Sequence, residues 1–263
     1  MQEQINDAER DFSVGIIGCG WLGKALAITL LEKGLSVLAT SSKVENVEKL
    51  NQQGIRAQQL TLPANAKDLG QHNIFAQQCL VIAITPQFKQ GQTDYADKIA
   101  QLVSASQQRG LVQHIILLSS TAVYHGLAGD VDEASQLNLA TEKVQILNAA
   151  EQRVLNFSKL SSQQGTILRL AGLLGPERHP GKFILAKKTL SDSSAPVNLI
   201  HQQDAVGLIE SLLPVNSAQG IFNGVSDTHV SKQRYYQVAA QALSLPTPAF
   251  SSAQSNESTR VVS

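Results

Sequence analysis

The stretch Ser13-Val-Gly-Ile-Ile-Gly18-Cys-Gly20-Trp21-Leu22-Gly23 decides how this chain is read. A short apolar run ends in Gly18-x-Gly20-x-x-Gly23, and Lys24-Ala-Leu-Ala-Ile-Thr-Leu-Leu-Glu-Lys-Gly34 follows with helical spacing. Strand, glycine turn and helix in that order form the phosphate-binding start of a dinucleotide fold. Gly18 permits the tight turn, Gly20 lets backbone N–H groups approach a pyrophosphate, and Gly23 lets helix and strand pack closely. The helix start adds unpaired N–H groups and a partial positive charge, both suited to an anion. The same three glycines also fit a βα turn with no ligand, so the flanking pattern carries the argument. The cofactor-binding candidates in this stretch are Gly18, Gly20, Trp21, Leu22 and Gly23.

Outward from it, apolar runs alternate with helical patterns, which predicts a doubly wound, mostly parallel α/β sheet. Strands are expected at 13–18, 35–40, 56–60, 79–84 and 112–119, and helices at 22–33, 43–53 and 93–109. Gly34, Gly54 and Gly110 are placed to stop those helices. Cys79-Leu-Val-Ile-Ala-Ile84 and His114-Ile-Ile-Leu-Leu118 are apolar at successive positions, as strands buried on both faces are. A helix from about 137 to 161 leads into a sixth strand, Thr166–Leu170. Residues 1–12 are polar and read as a flexible N-terminus, and residues 13–171 as the dinucleotide-binding domain. Residues 172–250 read as a smaller carboxyl-side lobe, and the Ser-rich 251–263 as a disordered or truncated tail.

Lys+Arg and Asp+Glu number 21 each, so no net field draws the chain to nucleic acid or anionic membrane. No apolar run is long enough to span a bilayer, and the polar start resembles no secretory signal. Cys19 and Cys79 lie at or beside apolar strands and read as reduced residues of a cytoplasmic protein. No metal-ligand spacing, GxSxG elbow or Walker lysine motif occurs, which disfavours metal, serine and ATP hydrolysis. The expected partner is a small-molecule substrate, with a homodimer left open.

In such folds an acidic residue about 20 positions past the glycines selects NAD. The second strand here ends Leu38-Ala-Thr40-Ser41-Ser42-Lys43, with no carboxylate. Three hydroxyls and a lysine could hold a 2′-phosphate instead, which favours NADP and leaves NAD possible. Thr40–Lys43 could equally cap the next helix.

Three further segments carry a resemblance: Leu118-Ser119-Ser120-Thr121-Ala-Val-Tyr124-His-Gly126, Leu168-Arg169-Leu-Ala-Gly-Leu-Leu-Gly175-Pro176, and Val197-Asn-Leu-Ile-His201-Gln-Gln-Asp204-Ala-Val. With the glycine fingerprint, over residues 13 to 245, the chain resembles the NAD(P)-dependent epimerase/dehydratase family. That family is the extended branch of the short-chain dehydrogenase/reductases, with a Rossmann-like fold. The loop Arg178-His179-Pro180-Gly181 resembles that of an uncharacterised bacterial subgroup. The resemblance implies that Ser120, with Thr121 beside it, hydrogen-bonds a substrate oxygen. It also implies that Gly175-Pro176 passes the nicotinamide and that Ile84, Thr85, Pro86 and Ser119 line the cofactor. His201 and Asp204 match a segment that closes the substrate lobe.

The departure matters more. Family members that transfer hydride usually carry Tyr-x-x-x-Lys on the helix before the sixth strand, the lysine lowering the tyrosine's pKa. The residues four places after Tyr95, Tyr124, Tyr235 and Tyr236 are Ile99, Ala128, Ala239 and Ala240, so the pair is absent. Alignment through Ala150-Glu151 puts Lys143 and Leu147 at its positions. Lys143 is either a ribose or substrate contact or an exposed helix lysine. The fingerprint departs as well, since GxGxxG stands where the extended branch usually has GxxGxxG. Tyr124 and His125 are candidates to supply the missing proton transfer. Arg178, His179 and Lys182 concentrate positive charge after the sixth strand and read as a site for an anionic substrate, or as a loop tied to the sheet edge. The expectation is an atypical NADP-preferring oxidoreductase or epimerase acting on a small polar or anionic substrate. The alternative is a sensor or scaffold that binds NADP(H) without turnover.

Overall fold

The computed structural model describes residues 12–157, 163–185, 189–214, 219–251 and 259–263, with the side chains of 184 and 185 left aside. Its centre is a seven-stranded sheet in the order β11-β7-β5-β4-β1-β2-β3. These strands are β1 (Ser13–Ile17), β2 (Ser36–Ser41), β3 (Ala57–Gln59), β4 (Cys79–Ile82), β5 (His114–Ser120), β7 (Gln164–Leu170) and β11 (Gly220–Gly224). From β3 through β2, β1 and β4 to β5 the pairing is parallel, with Ile17 opposite both Thr40 and Ile82. The chain runs outward from β1 to β3 and then crosses back to β4. The carboxyl ends of β1 and β4 therefore form the switch point where such sheets bind ligands.

The strands form where consecutive apolar residues can be covered on both faces. Every residue of β4 and of β7 is buried. Helix α1 (Trp21–Glu32) buries Leu22, Leu26 and Leu30, spaced one helical turn apart. It ends at Gly34, whose φ of +79° suits a glycine, with the Gly34 and Leu35 N–H groups donating to Leu31 and Leu30. The same stop follows α2 (Val44–Gln52) at Gly54 and α4 (Tyr95–Arg109) at Gly110. Two helical details differ from expectation. A short helix α3 (Ala66–Gln71) lies where none was expected, started by Asn65, whose side chain accepts from the Lys67 N–H at 2.9 Å. Helix α5 (Glu142–Phe157) begins later than 137, because the Asn138 side chain accepts from the Ala140 N–H and holds a turn there.

The chain forms two compact units. The first takes the described residues of 1–119, 145–168 and 206–222, and the second those of 120–144, 169–205 and 223–263. Each is assembled from separate segments, so a single boundary near 171 does not describe the partition. The second unit contains three two-stranded parallel pairs. They are β8 (Gly172–Leu174) with β10 (Leu199–His201), β9 (Thr189–Leu190) with β12 (Ala249–Phe250), and β6 (Asp130–Val131) with β13 (Val261–Val262). The last pair corrects the expected disorder for residues 259–263, while 252–258 lie outside the described residues. Val261 donates to the Gly129 carbonyl, and Asn198 accepts from Val262 at 2.8 Å, so backbone bonds outweigh the polar composition. The second unit also holds α6 (Pro180–Leu185) and α8 (Lys232–Ala242), while α7 (Gln202–Leu212) runs from it into the first.

One core residue makes folding depend on pH. His114, at the start of β5, is fully buried, with Nε2 2.9 Å from Thr166 Oγ1. Burial pushes its pKa down to about 4. The folded state thus rejects a proton that the unfolded chain accepts near pH 6.5. Its contribution is fully present above that pH and is lost as pH falls toward 4, on the order of 3 kcal/mol in all. Urea midpoints measured between pH 7 and pH 4 should fall more steeply for the wild type than for His114→Asn. Parallel slopes would exclude His114 as the titrating group.

Candidate functional site

In the first unit a cleft of about 440 Å³ opens at the switch point. Its floor is the loop after β1. Gly18 has φ +90°, and a Cβ there would lie 3.0 Å from the Ile84 backbone nitrogen, so only glycine fits without displacing the end of β4. A Cβ on Gly23 would meet the Gly18 carbonyl at 3.1 Å, which sets how closely α1 approaches β1. Gly20 differs, since a Cβ there would have nothing within 4 Å. Gly20 caps α1 with no side-chain bond, and the helix has no acidic residue in its first turn. The positive helix end therefore faces space that a phosphate can enter.

The wall comes from β2. Thr40 is almost fully buried; its Oγ1 accepts from the Gly18 N–H at 3.3 Å and its carbonyl accepts from the Cys19 N–H at 2.7 Å. Its hydroxyl holds the glycine loop in place. Ser41 Oγ accepts from the Lys43 N–H, and the Ser42 carbonyl accepts from Gln59 and Thr61 side chains. Helix α2 is capped by Lys43 with no side-chain bond, so neither serine serves as its N-cap.

Of the cofactor candidates, Gly18, Gly20, Thr40, Ser41, Ser42, Ile84 and Thr85 line this one cleft. Trp21, Leu22, Gly23, Lys43, Pro86, Ser119, Gly175 and Pro176 do not. Asn46, Leu60, Gln92 and Lys98 line it without having been singled out, because the contacts that place them are long-range. Cys19 also lines it, its thiol pushed up to about 11 by burial, against the opposing effect of Lys24. Burial raises Cys79 as well, so both free thiols stay protonated near neutrality. Ser119 donates to the buried Glu151 at 2.5 Å.

The other candidates belong to the second unit. Ser120 Oγ accepts from the Ala122 N–H at 3.1 Å, and Thr121 follows it, half-buried. Tyr124 is fully buried; Oη donates to Asn223 and accepts from Arg169 Nη1, both at 2.9 Å. Burial raises its pKa, against the opposing effect of the Arg169 guanidinium, whose donated bond and charge favour the phenolate. The Asn223 N–H donates to Glu133 at 2.6 Å, and Arg260 Nη1 donates to the Tyr124 carbonyl at 2.7 Å. Tyr124 is thus the hub of a buried network whose members come from four separate segments. His125 is exposed beside it, and His201 Nδ1 accepts from the Gln203 N–H.

Arg178 and Lys182 are exposed, and His179 Nδ1 accepts from the Gly181 N–H at 3.1 Å. A Cβ on Gly181 would meet the Ala239 carbonyl at 2.8 Å, so this loop is shaped by α6 packing on α8. A cavity of about 280 Å³ in the same unit is lined instead by residues that include Lys232, Tyr235, Tyr236 and Arg260. Lys143 is exposed and Leu147 buried on α5. Among the described residues, no group of three His, Cys, Asp or Glu could hold a metal ion, and no helix is long and apolar enough to cross a membrane.

Protein YeeZ of Escherichia coli K12 is 32% identical to this chain over 240 residues, spanning 90% of the chain and 86% of YeeZ. The chain belongs to the YeeZ family. Residues 13–112, which contain the cleft, also match the family described as NADP oxidoreductase coenzyme F420-dependent. The fold of this YeeZ relative is shared by UDP-glucose 4-epimerase of Thermotoga maritima, solved with UDP-glucose, at 12% identity and TM-score 0.75 over 95% of this chain and 88% of that one. The Bordetella bronchiseptica enzyme WbmH, solved with NAD+, matches at 16% identity with the same TM-score and coverage. The resemblance drawn from the motifs therefore holds at the level of the fold, a Rossmann-like architecture shared with these enzymes.

Proposed function

We propose that the protein binds NADP(H) in the cleft of the first unit and is an atypical oxidoreductase or epimerase that works without the Tyr-Lys pair. The observation that carries this reading is the open space over Gly20 at an uncapped helix start, beside a β2 end bearing Ser41 and Ser42 and no carboxylate. These residues fit a dinucleotide. The helix N-terminus would hold its diphosphate, and Ser41 and Ser42, with the Lys43 that follows them in sequence just outside the cleft lining, a 2′-phosphate. Bound nicotinamide supplies or accepts a hydride. Ser120 Oγ accepts from backbone and keeps its own proton to donate to a substrate oxygen. The positive charge of the second unit, Arg178 and Lys182 on the surface and Lys232 and Arg260 around its cavity, supports a small polar or anionic substrate.

Tyr124 favours a second reading. Its hydroxyl is buried and bonded on both sides, and Lys143 and Leu147 stand where the pair would be, which suits a nucleotide sensor without turnover. Trp21, the chain's one tryptophan, directly follows Gly20, which lines the cleft, and is therefore the fluorophore to follow. NADPH should quench its fluorescence saturably, about tenfold more tightly than NADH, which is one charge-assisted contact to the 2′-phosphate. Oxidation of NADPH by a panel of aldehydes, ketones and nucleotide sugars then separates enzyme from sensor. No response to either nucleotide would overturn both readings.

A further inference from the structure

Lys98 is, among the described residues, the one charged side chain that lines the cleft. It sits in the first turn of α4, where the positive end of the helix opposes a cation. Its side chain is only 15% exposed. Burial and the helix end both disfavour an ammonium there unless an anion answers it. The resident answer is incomplete. Lys98 Nζ donates to Gln92 Oε1 at 2.9 Å. Asp94 Oδ1 lies 2.8 Å from Nζ but outside hydrogen-bond alignment, and the Asp94 side chain is 44% exposed, so this carboxylate can turn to solvent when another anion arrives. Asp94 is also the residue before α4 and does not cap it with its side chain. An ammonium has three protons to donate, so Gln92 and Asp94 together leave it donor capacity for a ligand.

From this we infer that Lys98 is the phosphate-binding cation of the cleft. Its ammonium exchanges the poorly aligned Asp94 carboxylate for a phosphate of the bound dinucleotide, either the bridging diphosphate or the ribose 2′-phosphate. The inference rests on the nucleotide reading above and names the side chain that neutralises the ligand. Asp94 competes for Lys98, so it weakens binding while holding the cation in place. That competition gives the two partners opposite effects, which a purely structural ion pair would not have.

The test uses the whole protein and three probes followed through Trp21 fluorescence or calorimetry: adenosine, ADP and 2′-AMP. Lys98→Gln should bind adenosine as the wild type does and lose about tenfold in affinity for one of the two phosphate probes. Loss for ADP assigns the diphosphate, and loss for 2′-AMP assigns the 2′-phosphate. Asp94→Asn should bind the same probe about threefold more tightly than the wild type. It keeps the test decisive should Lys98→Gln fold poorly. Unchanged phosphate binding in Lys98→Gln, or equal weakening in both variants, overturns the assignment of Lys98 while leaving the nucleotide reading intact. A wild type that binds none of the probes overturns that reading and the assignment together.

Discussion

Gly165→Ala should be among the most damaging single-methyl changes in this protein, costing about 3 kcal/mol, the upper range for overpacking a core. Gly165 lies on β7, where a Cβ would be driven into the Val154 carbonyl of α5, with the carbonyl carbon only 2.9 Å away. Both groups are backbone within the first unit, so no rotamer change relieves the contact. Helix and strand would have to separate along a strand buried at every position. Against a total stability of roughly 5–15 kcal/mol, the loss is large enough to cut soluble yield. Gly54→Ala is the control. It carries the conformational cost of φ +79° but meets nothing within 4 Å, so about 1 kcal/mol is expected. Urea midpoints of the two variants should differ accordingly at a common slope. A Gly165→Ala protein as stable as Gly54→Ala would mean that α5 does not press on β7.

Gly165 also shows where sequence reading stops. The sixth strand was legible from Thr166 onward because alternation and apolar runs are local signals. A glycine one residue earlier looks like any strand-starting glycine, and its role depends on a helix carbonyl 11 residues back in sequence. The glycine fingerprint was legible for the opposite reason. Gly18, Gly20 and Gly23 act on one another within a single turn. Lys98 was not, since only the register of α4 against the sheet brings it to the cleft. The Tyr124 hub joins residues 45 and 99 positions apart, beyond any motif window. The chain's end misled at 259–263 because composition is averaged over the segment, while two valines suffice to pair with β6. What the chain encodes in neighbouring residues could be read directly, and what it encodes by folding distant residues together could not.

Gly20→Val should separate binding from folding in the same loop. Gly20 has φ −87°, which any residue adopts, and a Cβ there would meet nothing within 4 Å. The folded state should therefore tolerate valine, with stability changed by no more than about 1 kcal/mol, the cost of a poorer helix cap. The space that valine fills is the approach to the first N–H groups of α1. An anion in a partly buried site at a helix N-terminus gains up to about 2 kcal/mol, so its exclusion should weaken NADPH binding about thirtyfold. Gly18→Ala, by contrast, should fail by losing stability, since its φ of +90° and the Ile84 nitrogen at 3.0 Å leave no room for a side chain. Thermal unfolding and NADPH titration on the pair decide the matter. If Gly20→Val binds NADPH as the wild type does, the phosphates do not pass over Gly20, and the dinucleotide reading of the cleft loses its centre. If it binds weakly with its melting temperature intact, the first glycine shapes the loop and the second receives the ligand.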